Sequence, residues 1–523
     1  LMWQPAIPFS NVFIAALIAA VPIIWILFGM LKLQLPSYKT GIIALAAVAL
    51  SALLIWKMPA VLLIQSVAEG VMLGLFPIIW VIFAAIFTYN LLVKSGAMEK
   101  IKRMLSSIST DPRAQVIIIA FAFGGFMEAT AGFGTAVAIP VTILISMGFE
   151  AELAAVICLV ANTVPVAFGV VGIPVITLAQ VTGLPLGDIS LYTALQLLPL
   201  SVVLPLILVV ITTGRLRDVR GMIPAIAISG VTFAAGQTLV AWAVGPELAA
   251  VVGSILALAA SVLCVRLQRN RKVWQFPGRI AAGAEKGLNI SLAEGLKAWS
   301  PYIFILVFVL ATRLLPALSF LNKPPFTLKH LFYTGKGGTP MSFQLLSNPG
   351  TIILIAAVLG GLIQKVSLKD ILSVGWMTLK QITKTTVTVL TIIPLSKVMG
   401  YSGMISVISL GLTNVAGSFF PLISPFIGAL GTFITGSDTS ANALFGELQR
   451  QTAQQIGSSP AWLAAANAAG ATIGKMISPQ SIAIAVSAIG LPELEGKIMK
   501  RTLKYAVVLV VVLGIIVYAG NIV

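Results

Sequence analysis

Residues 124–140 read GGFMEATAGFGTAVAIP, with four glycines, two threonines and the carboxylate of Glu128. The surroundings make this unusual. The chain has 523 residues, of which 58% are hydrophobic and 9% charged, whereas soluble domains carry about 25% charge. Apolar stretches of membrane-spanning length recur along the chain, separated by short polar loops. A carboxylate at the centre of a lipid-facing helix costs about 2.5–3.5 kcal/mol, and glycines weaken the helix further. Residues 124–140 therefore predict a break in the helix, held at membrane depth. Such backbone is tolerated only inside protein or against a cavity. The fold class is an all-α polytopic membrane protein.

Composition excludes several alternatives. Cys158 and Cys264 lie in separate apolar segments, so neither a disulfide framework nor a thiolate metal site is expected. The single histidine, His330, falls in a polar linker facing solvent. No cofactor, metal or catalytic group is expected. The net charge of +17 reads as Lys and Arg retained in cytoplasmic loops rather than as a nucleic-acid surface. No basic region precedes the first apolar run, so no cleavable signal is expected.

Twelve spans are expected near 11–31, 41–56, 66–93, 152–182, 189–213, 222–243, 248–266, 301–320, 350–364, 371–394, 461–489 and 505–522. Two further apolar stretches, 114–147 and 405–447, are interrupted halfway by Gly, Ser, Thr and an acid. Each reads as a re-entrant hairpin. With the N-terminus outside, the loops assigned to the cytoplasm hold 23 of the 33 Lys and Arg, and the opposite loops hold six. If either hairpin crossed fully, every loop after it would change sides and the asymmetry would deteriorate.

The chain also repeats itself. Ser95-Gly96 returns as Ser402-Gly403, Ala161-Asn162 as Ala466-Asn467, Pro174 as Pro479 and Leu184-Pro185 as Leu491-Pro492, and Gly132 matches Gly436. The organisation expected is an N-terminal helix (1–40), a first repeat (41–213), three linking helices with a basic cytoplasmic loop at 266–300 (214–349), and a second repeat (350–523). An odd number of linking crossings inverts the second copy. Inverted repeats with broken helices near the bilayer midplane are the architecture of secondary transporters.

Four broken elements are expected: 128–135, 161–174, 435–442 and 466–480. Their exposed N–H ends suit a carboxylate, and their carbonyl ends suit a cation or a proton-carrying group. Glu128 and Asp438 are the candidate proton-coupling acids. Glu128 is favoured, because Met127 and Ala129 flank it whereas Ser437, Thr439 and Ser440 surround Asp438. Candidate substrate-binding residues are Thr130, Gly132, Gly134, Thr135, Asn162, Thr163, Ser437, Thr439, Ser440, Asn442, Asn467, Lys475 and Ser478. Asn162 and Asn467 occupy equivalent positions, which suggests one shared site. Lys475 has a substrate carboxylate, Asp438 or Glu128 as alternative partners. Phe133 is a packing plug or a pocket wall. Glu69 is expected to reach the interface, and Arg313, Lys380 and Lys384 to snorkel or to line helix contacts. Exposed carbonyls with Asn, Ser and Asp suit Na⁺ as well as protons, so a sodium-coupled carboxylate carrier stands as the alternative.

The stretches GGFMEATAGFGTAVAIP (124–140), ANTVPVAFGVVGIP (161–174), GSDTSANALFGELQ (436–449) and GKMISPQSIA (474–483), with KMP at 57–59 and SISTDPRAQ at 107–115, resemble the L-lactate permease family of bacteria and archaea. The resemblance covers essentially the whole chain. It implies a multi-pass protein of the prokaryotic cytoplasmic membrane that takes up lactate, glycolate and related short 2-hydroxy monocarboxylates with a proton. Partners are then the small monocarboxylate, a proton and the lipid bilayer, with room for a homo-oligomer and none for nucleic acid.

Overall fold

A computed structural model describes residues 3–33, 35–132, 134–267, 273–276 and 291–522. Phe133 and most of the basic loop at 266–300 lie outside the described residues. The described residues contain twelve helical stretches long and apolar enough to cross a membrane. The protein is a helical multi-span membrane protein.

Two parts of the chain pass through the same order of elements. In the first, helix Ser37–Leu54 is followed by Ala60–Leu73 and Trp80–Lys94, a short helix Ala97–Ser106, a hairpin, a broken helix and the long helix Leu186–Thr213. In the second, Pro349–Ile363, Leu368–Ser402, Met404–Ala416, a hairpin, a broken helix and Glu495–Ile522 follow in that order. The Ser-Gly pairs seen in the sequence stand at the same joint. Gly96 and Gly403, at φ 74° and 87°, take the left-handed turn that ends one helix and starts the next.

Packing between the two parts is reciprocal. Ser37–Leu54 lies on Leu368–Ser402, and its counterpart Pro349–Ile363 lies on Trp80–Lys94. Asp438–Gln455, the second arm of the later hairpin, packs on Gly169–Thr182 of the earlier broken helix. Pro479–Ile489 of the later broken helix packs in turn on Thr135–Ser146, the second arm of the earlier hairpin. This exchange of partners is what a two-fold relation requires. Three linking helices, Ile223–Ala243, Pro246–Leu267 and Leu292–Leu314, break the equivalence. Helix Pro246–Leu267 packs directly behind the first hairpin, and every residue of Pro112–Thr130 is buried. The second hairpin instead exposes Ile423, Phe426 and Leu430 on its outer arm.

Several expected boundaries are corrected. The apolar run 405–447 is not one hairpin. Met404–Ala416 is a helix of its own, ended at Gly417 (φ 50°), and the hairpin arms are Phe420–Thr435 and Asp438–Gln455. The second arm outlasts its apolar portion, and in that extension Arg450 pairs with Glu447 one turn away, at 2.6 Å. The span expected at 301–320 runs instead from Leu292 to Leu314. Ser291 and Glu294 form a capping box at its start, and Pro316 follows its end. The span expected at 66–93 is interrupted at Gly74–Ile79, where Phe76 is extended. A two-stranded hairpin, Thr327–His330 with Met341–Gln344, occupies the loop before Pro349. Glu69 sits beside this loop, covered by protein. It is buried, pairs with Lys397 at 2.9 Å and accepts the Tyr401 hydroxyl at 2.9 Å. Tyr401 stacks on the buried Tyr333 of that loop, 3.7 Å between ring centroids.

Candidate functional site

Both broken helices part where Gly, Pro and short polar residues meet. In the first, Ala151–Ala161 gives way to a single turn at Pro165–Phe168. Val170, Val171 and Gly172 then adopt left-handed conformations, with φ of 47°, 55° and 79°. For a side-chain-bearing residue this costs roughly 1–2 kcal/mol, and two successive β-branched residues there need outside support. Glycines provide the room. A Cβ on Gly132 would strike the Val170 side chain, and one on Gly172 would sit 2.7 Å from the Pro246 backbone. In the second, Pro460–Lys475 ends and Ser478 caps the next half-helix, accepting from the Ser481 N–H at 3.2 Å, with Pro479 as its first residue.

The hairpin turns meet these breaks. Glu128 lies in the last turn of the arm Gly124–Thr130. Its Oε1 is 2.6 Å from Lys475 Nζ, and its Oε2 accepts from Asn162 Nδ2 at 3.1 Å. Gly169 lies alongside, where a Cβ would come within 2.8 Å of Glu128 Oε1. The second hairpin turns at Gly436 (φ 69°), and Asp438 begins the next helix. Asp438 is buried, and neither carboxylate oxygen has a hydrogen-bond partner among the described residues. Here the sequence expectation is corrected, since Glu128 is the bonded acid and Asp438 the unbonded one. The Ser437 hydroxyl caps the helix by accepting from the Ser440 N–H, and the Thr435 hydroxyl donates to Gly431 O. The Thr435 donor is thereby spent, and no bond from Ser437 reaches Asp438.

A cavity of about 330 Å³ joins these groups. Of the candidate residues, Glu128, Gly134, Ser437, Asp438, Thr439, Ser440 and Lys475 line it. The other expected residues stand behind its wall. Thr130 donates to Phe126 O, Thr135 to Gly132 O, Thr163 to Val160 O and Ser478 to Lys475 O. Gly132 packs against Val170. Asn162 and Asn467 do not share a site. Asn162 holds Glu128, whereas Asn467 donates to Asn442 Oδ1 at 2.9 Å, and Asn442 donates to Pro174 O at 3.1 Å. Each asparagine ties its own broken helix to the hairpin of its own repeat.

Sequence reasoning missed part of the lining. Tyr38, Gln480, Ser481, Lys384, Thr385 and Thr388 all border the cavity. Lys384, Thr385, Thr388 and Val389 are spaced as one helix face, a period visible in the sequence, although its direction was not. Lys384 therefore lines the cavity rather than snorkelling. Lys380, outside it, lies 5.2 Å from the Trp376 ring centre.

Helix breaks, hairpin turns and charges that converge on one cavity of a multi-span membrane protein are the architecture of a transporter. The profile of the L-lactate permease family matches residues 15–523, and the chain belongs to that family. It is 42% identical over 451 residues to an L-lactate permease of Streptococcus iniae, covering 86% of this chain and 93% of that one. It is 35% identical over 543 residues to the glycolate permease of Escherichia coli K12, covering 98% and 97%. Among solved structures it resembles Neisseria gonorrhoeae MtrF, from a class of antimetabolite efflux pumps, with a TM-score of 0.51 and 12% identity over 95% of this chain and 97% of that one. This last likeness is one of fold alone.

Proposed function

We propose that the protein is a proton-coupled symporter that takes up L-lactate and related short 2-hydroxy monocarboxylates, glycolate among them, across the cytoplasmic membrane of a prokaryote. The names of its relatives supply the substrate class. The observation that carries the coupling is the charge inventory of the cavity: two acids, Glu128 and Asp438, and two lysines, Lys475 and Lys384. Glu128 and Lys475 cancel each other at 2.6 Å. With Asp438 ionised the four sum to zero. A monoanion entering with one proton on Asp438 leaves the sum at zero, so empty and loaded carriers both avoid an unbalanced charge at membrane depth.

The position of Asp438 supports the same coupling. It occupies the first turn of helix Asp438–Gln455, where backbone N–H groups and the helix dipole favour an anion. An ionised Asp438 competes with a substrate carboxylate for that end of the helix, and a proton ends the competition. The cavity extends to Ser37 and Tyr38, beside the 32–40 loop whose lysines assign it to the cytoplasm. The two hairpins and broken helices then move against the remaining helices to change access, as inverted repeats do.

Proteoliposomes given a panel of labelled short acids, with pH and sodium gradients imposed separately, test this reading. A pH gradient alone drives accumulation of lactate and glycolate. Accumulation under a sodium gradient alone would transfer the coupling to Na⁺.

A further inference from the structure

We propose that Lys384, on the wall helix Leu368–Ser402, is the residue that receives the substrate carboxylate. The inference rests on the symport reading above and names the binding group within it.

Two lysines border the cavity, and only one is engaged. Lys475 is committed to Glu128, with 14% of its side chain accessible. Lys384 has no carboxylate within ion-pair distance among the described residues and is solvent-accessible. Its position makes this informative. At 1.5 Å per residue, Lys384 lies about 24 Å from the start of its 35-residue helix and about 27 Å from the end. The helix is longer than the roughly 30 Å hydrocarbon core, and Gly41, just after the 32–40 loop, meets Thr391, so Lys384 stands toward the cytoplasmic mouth of the cavity. A cation without a counter-ion at the mouth of a transport cavity attracts the anion that must pass it, and here the charge faces the space that a carboxylate must enter.

The neighbouring chemistry fits a short 2-hydroxy acid. Thr385 and Tyr38 border the same cavity, and their hydroxyls make no hydrogen bond to another group among the described residues. The Thr388 hydroxyl, one turn on, donates to Lys384 O at 3.0 Å and keeps lone pairs free to accept. The wall helix packs on both Asp438–Gln455 and Ser37–Leu54. A carboxylate held by Lys384 thus bridges the wall and the tip of the second hairpin, where Asp438 takes the proton. The site has no twin. At the offset of 307 between Ser95 and Ser402, Lys384 corresponds to Pro77, inside the interruption of the first-repeat helix. One lysine in one half agrees with one anion per cycle.

The test compares wild type, Lys384→Gln and Lys384→Arg, reading lactate uptake in proteoliposomes and the lactate-dependent rise in melting temperature of purified protein. Lys384→Gln should raise the half-saturating lactate concentration about ten- to a hundredfold, the span of one charge-assisted hydrogen bond, and lose the melting shift. Lys384→Arg should stay within about threefold of wild type and keep the shift. Unchanged half-saturation in Lys384→Gln overturns the assignment, as does equal weakening of both variants, which marks a packing role. If wild type itself takes up no lactate under a pH gradient, the symport reading fails and not the assignment alone.

Discussion

Lys475 Nζ stands 2.6 Å from Glu128 Oε1 across 347 positions of sequence, joining a half-helix of the second repeat to the hairpin of the first. The lysine closes the C-terminal end of its half-helix, where a cation is favoured. The glutamate gains a second partner in Asn162. The contact holds both repeats at the cavity.

Removing one member of this buried pair strands the other's charge, at about 3–5 kcal/mol. Lys475→Met and Glu128→Gln are each expected to lower the melting temperature of detergent-purified protein markedly. The double variant Glu128→Gln/Lys475→Met should regain most of the loss. Losses that simply add would show that the two residues act independently.

Asp438→Asn mimics the protonated acid permanently. It should abolish lactate accumulation driven by a pH gradient while lactate counterflow, which needs no net proton movement, persists. Continued accumulation by the Asn variant would exclude Asp438 as the proton carrier. Glu128→Gln should instead impair uptake and exchange alike, because it releases Lys475.

Gly134 begins the second arm of the first hairpin at φ 87°, and a Cβ there would lie 2.5 Å from Ile484 Cδ1. Gly134→Ala therefore meets two obstacles, a strained backbone worth about 1–3 kcal/mol and a collision. Uptake should fall sharply. Adding Ile484→Ala relieves only the collision, so recovery should be partial. Full recovery would remove backbone strain from the account, and no recovery would remove the collision.

Cysteines placed at Lys102 and Arg217 should be shielded from an impermeant reagent added outside intact cells, while those at Lys336 and Gln454 should label. This pattern follows from the uneven placement of Lys and Arg in the loops. Equal labelling at 102 and 336 would contradict the inverted arrangement.

What the sequence made legible followed local chemistry. Glycines and Glu128 in 124–140 marked the first hairpin turn, and Asn, Gly and Pro at 161–174 and 466–480 marked both helix breaks. The second hairpin was misplaced because Gly417 lies in an apolar run like many harmless glycines, and only its φ of 50° reveals the stop. The two acids were ranked by their immediate neighbours, which do not report how each is bonded. At the start of a helix a flanking hydroxyl serves the backbone, as Ser437 serves Ser440, whereas the partner of Glu128 comes from the far repeat. The face Lys384, Thr385, Thr388 could be read as a period, but which side of the helix met a cavity depended on packing.

The enclosed first hairpin bears on how the chain is made. The arm Pro112–Thr130, carrying Arg113, Gln115 and Glu128, has no lipid-facing residue. The helix that lies behind it, Pro246–Leu267, is synthesised more than a hundred residues later. Glu128's own counter-ion, Lys475, emerges later still. Since a lone Glu128 in lipid is costly, the arm is favoured at the membrane surface or inside the insertion machinery until its cover exists. A nascent chain stopped at residue 213 should leave this arm unburied, and one extended past residue 267 should begin to take it in.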